Sequence, residues 1–270
     1  MRAPVDTIAA PLFPTQLPWV NTNGSQASIL QRGKPMLVEF WDFCRPNSIR
    51  TLPYVKAWHE RYAEDGLRVI GVHCPGFEPS HSEQAVRDAV GRLEIAHPVV
   101  IDSEFEVWQE YENRGWPARY LFDGHARLFD YHYGEGGYTE TELAIQELLG
   151  VEREPLAPLR PEDAPDVRLL RQTEEQTGAW SGPYEAGGVW AVLAPTTAHT
   201  RGREPAGTCS VTVRSTVGNG EAHTEKRALT VEHPGAYQLI EHARHTQATL
   251  ELDVGRGVEC LATCFTPGVA

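Results

Sequence analysis

Residues 35–55 read Pro35-Met36-Leu37-Val38-Glu39-Phe40-Trp41-Asp42-Phe43-Cys44-Arg45-Pro46-Asn47-Ser48-Ile49-Arg50-Thr51-Leu52-Pro53-Tyr54-Val55, and this stretch decides the fold. Met36 to Trp41 is apolar apart from Glu39 and rich in strand formers, while Tyr54, Val55, Trp58 and Tyr62 recur at helical spacing. A buried strand therefore feeds through a tight turn into an amphipathic helix. Pro46 has the backbone angle of a first helical turn, and Pro53 is expected to kink the helix that follows. The side chains of 44–48 then gather at a helix N-terminus beyond the carboxyl end of a strand, where α/β proteins tend to place chemistry.

Working outward, Gly66 to His73 repeats the pattern of a buried strand, and Arg114-Gly115-Trp116-Pro117-Ala118-Arg119-Tyr120-Leu121 and Tyr133 to Glu142 add two further ordered motifs. Together with Val38-Glu39-Phe40-Trp41 and Ile49 to Tyr54, these segments resemble the thioredoxin-like superfamily, in particular its TlpA/ResA/DipZ-type redoxins. The resemblance implies an α/β thioredoxin-like domain over residues 1–150, and a cis peptide bond before Pro117. It also implies a Cys-x-x-Cys pair with its first cysteine four residues after Trp41 and its second five before Pro53. Those positions hold Arg45 and Ser48, so the dithiol site is degenerate, and exchange between an attacking thiolate and a resolving thiol cannot run there. Cys44 stands one place earlier.

Further along, Glu83 to Leu93 carries Ala85, Val86, Ala89, Val90 and Leu93 on one helical face. Pro98 to Ile101 begins a third strand and Phe105 to Tyr111 reads as another helix. Asp123 to Ala126 is a hairpin turn into a strand over Arg127–Tyr133, and Thr139–Leu149 is a closing helix. Residues 11–35, with Pro11, Pro14, Pro18, Gly24 and Gly33-Lys34-Pro35, read as an extended lead-in. Residues 151–178, with four prolines among mixed charges, read as a linker. From 179 to 270 short alternating segments at Val189–Leu193, Cys209–Ser215, Arg227–Val231, Ala236–Ile240, Thr249–Val254 and Glu259–Phe265 indicate an all-β sandwich. The family resemblance implies that this second domain is carbohydrate-binding-module-like.

The chain has 270 residues, enough for two domains, and a formal net charge of -13, which argues against nucleic-acid or anionic-membrane binding. Met1 to Ala10 lacks the apolar core of a secretory signal, and no window reaches the roughly 18 apolar residues of a spanning helix. A cytoplasmic location is the expectation. Five cysteines, an odd count, argue against a disulfide framework in a reducing compartment.

Cys44, beside a helix N-terminus and Arg45, is the candidate nucleophilic thiol, with a lowered pKa expected from both neighbours and opposed by Asp42. The alternative is a buried strand-end cysteine. Cys74 ends the neighbouring strand. Strands lie about 4.8 Å apart, so the two Cα atoms could fall within the roughly 4.4–6.8 Å of a disulfide, with Cys74 resolving Cys44; otherwise they are unrelated thiols. Arg45, Asn47 and Arg50 could form an anion pocket with the helix amides, or Arg45 could pair with Asp42. Ser48 is a hydroxyl nucleophile if His73 serves as its base, and otherwise a helix-start serine. Trp41, Asp42, Phe43, Trp116 and Pro117 could line the substrate groove.

In the second domain Cys209, Cys260 and Cys264 read as packing residues; Cys260 and Cys264 sit about 13 Å apart on a strand and cannot pair with each other. Trp180, Tyr184 and Trp190 form either a sugar-stacking platform or ordinary core. The histidines at 199, 223, 233, 242 and 245 lack ligand spacing, so no metal is expected, and the residues imply no cofactor. The leading functional expectation is a thiol-dependent oxidoreductase acting on a small thiol, disulfide or electrophile, with Cys44, Arg45, Ser48 and Cys74 in catalytic roles. The others are a redox-inactive module that binds a partner protein or carbohydrate, and a non-redox enzyme reusing Arg45, Asn47, Ser48 and His73 on an anionic substrate.

Overall fold

A computed structural model gives the structure of residues 8–23, 33–196, 207–216 and 222–270. Expectations that fall on residues 1–7, Gly24 and His199, and on the side chain of His223, lie outside the described residues. The chain divides into two compact units, Met1–Leu159 and Arg160–Ala270.

The first unit is the expected α/β thioredoxin-like domain. Its elements are β1 (Trp19–Val20), β2 (Met36–Trp41), α1 (Pro46–Tyr62), β3 (Arg68–His73), α2 (Glu83–Arg92), β4 (Val99–Ile101), α3 (Glu106–Glu110), β5 (Ala118–Phe122), β6 (Leu128–Tyr133) and α4 (Tyr138–Leu149). They form one six-stranded sheet in the order β1-β4-β3-β2-β5-β6. β2, β3 and β4 run parallel, and β5, β6 and the short β1 are antiparallel to their neighbours. The sequence reading did not anticipate β1.

All six residues of β2 are buried, as the apolar run requires of a central strand covered on both faces. Val38 and Phe40 pack with Ile70, Val72, Val107 and Tyr111 on one face. Leu37 packs with Tyr54, Val55 and Trp58 of α1 and Ile145 of α4 on the other. Trp58 is 0% exposed, and replacing it by alanine would cost about 3–5 kcal/mol. Helix α1 starts at Pro46 behind an extended Arg45 that supplies no side-chain cap, and continues through Pro53. The Trp116-Pro117 bond is cis, as the resemblance implied.

The second unit is all-β. β7 (Leu169–Leu170), β8 (Gln176–Thr177), β9 (Gly182–Pro195), β10 (Gly207–Thr216), β11 (Ala222–Val231), β12 (Gly235–Val254), β13 (Val258–Thr266) and β14 (Gly268–Val269) make a six-stranded antiparallel sheet in the order β11-β10-β12-β9-β13-β8, and a two-stranded sheet β14-β7. Two strands expected at Ala236–Ile240 and Thr249–Val254 are one 20-residue strand, β12. Residues 241–248 contain neither Gly nor Pro to break it, and bulges between Gln238 and Ile240 and between Glu241 and Thr246 absorb the change in register. Tyr184 and Trp190, expected as alternatives for a sugar platform, are buried core residues at 4% and 7% exposure. No helix among the described residues is long and apolar enough to cross a membrane.

Candidate functional site: a buried carboxylate behind the strand–helix turn

β2 and β3 end side by side, with Trp41 in register with His73 and the Cys74 N–H donating to the Trp41 carbonyl at 3.1 Å. The chain then turns through Asp42-Phe43-Cys44 into α1, and the Asp42 carboxylate organises the turn. Its Oδ1 accepts the Cys44 N–H at 2.9 Å and its Oδ2 accepts the Gly76 N–H at 2.8 Å. The Asp42 N–H donates to Ser48 Oγ at 3.2 Å, and His73 Nε2 lies 3.5 Å from Asp42 Oδ1. The His73 ring stacks on Phe43 at 5.3 Å and stands edge-on to Trp41 at 5.0 Å.

Gly76 is required by close approach. A Cβ there would sit 2.7 Å from Arg45 Nε and 2.8 Å from Asp42 Oδ2. Arg45 spreads its guanidinium 4.5 Å from the Phe77 ring centre and 5.0 Å from that of Trp116, distances at which cations are held by ring faces. Trp116 in turn donates from Nε1 to the Cys74 carbonyl at 3.0 Å and packs on Trp108 at 4.5 Å. Arg45 thereby bridges the loop after β3 and the loop that carries the cis proline.

Trp41, Asp42, Phe43, Ser48, Arg50, His73 and Pro117, expected to act on or line a substrate, are all buried. Only Arg45, Asn47 and Trp116 of the expected set reach solvent, Asn47 most fully. Arg50 does not join Arg45 and Asn47 in an anion pocket: its Nε donates to Glu135 Oε1 at 2.6 Å. The Ser48 hydroxyl accepts from the backbone, and His73 faces Asp42 rather than acting as a base for Ser48.

The two thiols also differ from expectation. Cys44 is 0% exposed, and burial first, then the charge of Asp42, pushes its thiol well above the ordinary range. A hydrogen bond with Ser80 and the charge of Arg45 pull the other way and are outweighed. The favourable neighbours were legible in the sequence; the complete burial of the sulfur was not. Cys74, equally buried, donates to Asp102 Oδ2 at 3.3 Å, and burial and that carboxylate raise its thiol too. Both cysteines are free.

One buried acid and one buried base stand apart from the expected site residues. Glu39 and Arg119 face each other directly across β2 and β5, exposed at 0% and 1%. Burial raises the Glu39 carboxyl to about 8, against the opposing pull of Arg119. Neither carboxylate oxygen has a hydrogen-bond partner among the described residues. The Arg119 guanidinium lies over the Tyr138 ring at 4.9 Å and donates to the Gly136 carbonyl. The available signal was a lone acid in one apolar strand and a lone arginine in another.

No protein-family profile matches the chain. Protein DipZ of Mycobacterium tuberculosis (strain CDC 1551 / Oshkosh) is 36% identical over 133 residues, covering 48% of this chain and 19% of DipZ. The alignment thus spans about a fifth of that relative's length. Thiol-disulfide oxidoreductase YkuV of Bacillus subtilis is 25% identical over 131 residues, 48% of this chain and 87% of YkuV. The solved thiol-disulfide isomerase from Corynebacterium glutamicum superposes with a TM-score of 0.47 at 24% identity, over 53% of this chain and 98% of that one. The first unit is a thioredoxin-like domain with homologues of the TlpA/ResA/DipZ type.

Proposed function

We propose that the thioredoxin-like unit is a redox-silent binding module, which presents Arg45, Asn47, Phe77 and Trp116 to an extended segment of a partner polypeptide. The observation that carries this reading is the state of the thiols at the turn. Disulfide exchange needs an accessible thiolate, and Cys44 is enclosed and held protonated by burial and Asp42. The positions that the resemblance gives to the dithiol carry Arg45 and Ser48, and the guanidinium fills the space between the Phe77 and Trp116 rings. The turn's polar interior is spent on holding the backbone, which favours a rigid recognition surface over a reacting centre.

The test is turnover of a disulfide substrate such as insulin in the presence of dithiothreitol, measured for the wild-type chain, Cys44→Ser and the double variant Arg45→Cys/Ser48→Cys. The wild type and Cys44→Ser should match the uncatalysed rate, and the double variant should gain activity because the scaffold around the pair is present. Catalysis by the wild type that Cys44→Ser abolishes would overturn the reading. That outcome would favour the second reading, thiol-dependent oxidoreductase chemistry through Cys44. The relative named thiol-disulfide oxidoreductase YkuV favours this alternative.

A further inference from the structure

A cavity of 560 Å³ opens on the face of the sheet where β5 and β6 pack against α3, and none of its lining residues belongs to the Asp42 turn. Its size lies within the usual range of small-molecule sites. The wall is aromatic, with Tyr111, Tyr120, Phe122, Tyr131 and Tyr133. These rings stand across one another: the planes of Tyr111 and Tyr120 meet at 68°, Tyr120 and Tyr133 at 86°, and Tyr131 and Tyr133 at 64°. A flat ligand needs parallel faces to stack between. Rings set crosswise instead offer faces and edges converging from several directions, an arrangement that suits a rounded organic cation.

Charge at the mouth is mixed. Glu110 and Glu112 contribute two exposed carboxylates and Arg114 one exposed guanidinium. Tyr111 is 8% exposed and lines the cavity with its ring, its hydroxyl being enclosed in the core. The neighbouring Tyr120 hydroxyl is engaged, 2.8 Å from Asn113 Oδ1 and 3.3 Å from the Tyr133 hydroxyl. The cavity therefore offers a box for a cation, two acids beside it, and a guanidinium for an anionic group.

We propose that this cavity binds a small zwitterion, with a methylated ammonium seated among the tyrosine rings beside Glu110 and Glu112 and a carboxylate or phosphate facing Arg114. The exposed Arg114 guanidinium at the mouth is the reason the ligand carries a second, anionic group. The site is independent of the peptide-binding face and stands or falls separately from it.

Isothermal titration calorimetry of the full chain against glycine betaine, phosphocholine, choline and 3,3-dimethylbutanoate tests the assignment. The last probe copies the shape and carboxylate of betaine with an uncharged tert-butyl head. At least one of the two zwitterions should bind about tenfold tighter than both choline and dimethylbutanoate, equivalent to about 1.4 kcal/mol. Betaine and phosphocholine together distinguish a carboxylate from a phosphate at Arg114. Arg114→Gln, an exposed change that leaves the wall intact, should erase the preference over choline. Equal affinity for betaine, phosphocholine and the uncharged isostere would overturn the cation box, an unchanged preference in Arg114→Gln would overturn the anion partner, and absence of heat for every probe at millimolar concentration would overturn the site.

Discussion

Removing the Asp42 carboxylate should open the turn between β2 and α1 from within. In Asp42→Ala the Cys44 N–H and the Gly76 N–H lose their acceptor, at 2.9 and 2.8 Å respectively. A hydrogen bond to a charged group contributes about 1.5–3 kcal/mol, and a donor left buried costs towards the upper end. The Cys44 donor is buried, and the Gly76 donor is half-buried and can recover water. We therefore expect about 3 kcal/mol from the first and about 1.5 from the second, a total of about 4–5 kcal/mol. That is a large fraction of a domain's stability, of order 5–15 kcal/mol. Asp42→Asn keeps one accepting oxygen but turns an NH2 group against the other N–H, so about half the loss is expected. Guanidinium titration followed by tryptophan fluorescence reads the first unit, because Trp19, Trp41, Trp58, Trp108 and Trp116 lie in it against Trp180 and Trp190 in the second. Cys44 alkylation, followed by peptide mass spectrometry, should accelerate in the same order: wild type, Asp42→Asn, Asp42→Ala. A fall below about 1 kcal/mol for Asp42→Ala would refute the carboxylate's organising role. If the alanine variant does not fold, the asparagine variant alone decides.

Glu39 and His97 should give the first unit opposing pH responses. The folded Glu39 carboxyl titrates near 8 and the unfolded one near 4.5, so the folded state holds an extra proton between them and stability falls as pH rises through that window. Glu39→Gln should flatten this slope, measured as the melting temperature at pH 5 and pH 8. His97, 0% exposed, is lowered from 6.5 to about 3 by burial and by the charges of His59 and Lys56, so its contribution is intact above the unfolded value and is lost as pH falls towards 3. His97→Gln should remove that part of the acid sensitivity, and an unchanged acid limb in the variant would contradict the assignment. Gly76→Ala should displace Arg45 and cost about 1–3 kcal/mol through the clash at the Asp42 carboxylate; a variant as stable as the wild type would show that the loop yields freely.

The sequence carried the fold of the first unit because its signals were local. The apolar run at Met36–Trp41, the helical spacing of Tyr54, Val55, Trp58 and Tyr62, and the strand after Pro117 each fix one element. Strand formation in the second unit was equally visible, but the joining of two segments into β12 was not, since bulges are set by the register of β9 rather than by a residue type. At the turn, the position was legible and the orientation was not. Beyond Trp41 the two-residue alternation of a strand no longer says which side chains point inward. Ser80 comes beside Cys44 and the Gly76 N–H beside Asp42, neighbours separated by more than thirty residues. Arg50 looked available for an anion until Glu135 was brought beside it.

The opposition of Glu39 and Arg119 also bears on how the sheet assembles. β2 and β5 meet with Glu39 against Arg119 and with apolar partners on either side, Val38 against Tyr120 and Phe40 against Ala118. A slip of one residue between these strands would send Arg119 to the opposite face and leave the Glu39 carboxyl in the core without the one cation that offsets its burial. A buried polar group left without a compensating neighbour costs about 1–3 kcal/mol, which a chain sampling alternatives cannot make up with contacts that are merely apolar and interchangeable. The pair therefore acts as a proofreading mark on the pairing of an interior strand with one about 80 residues later in the chain.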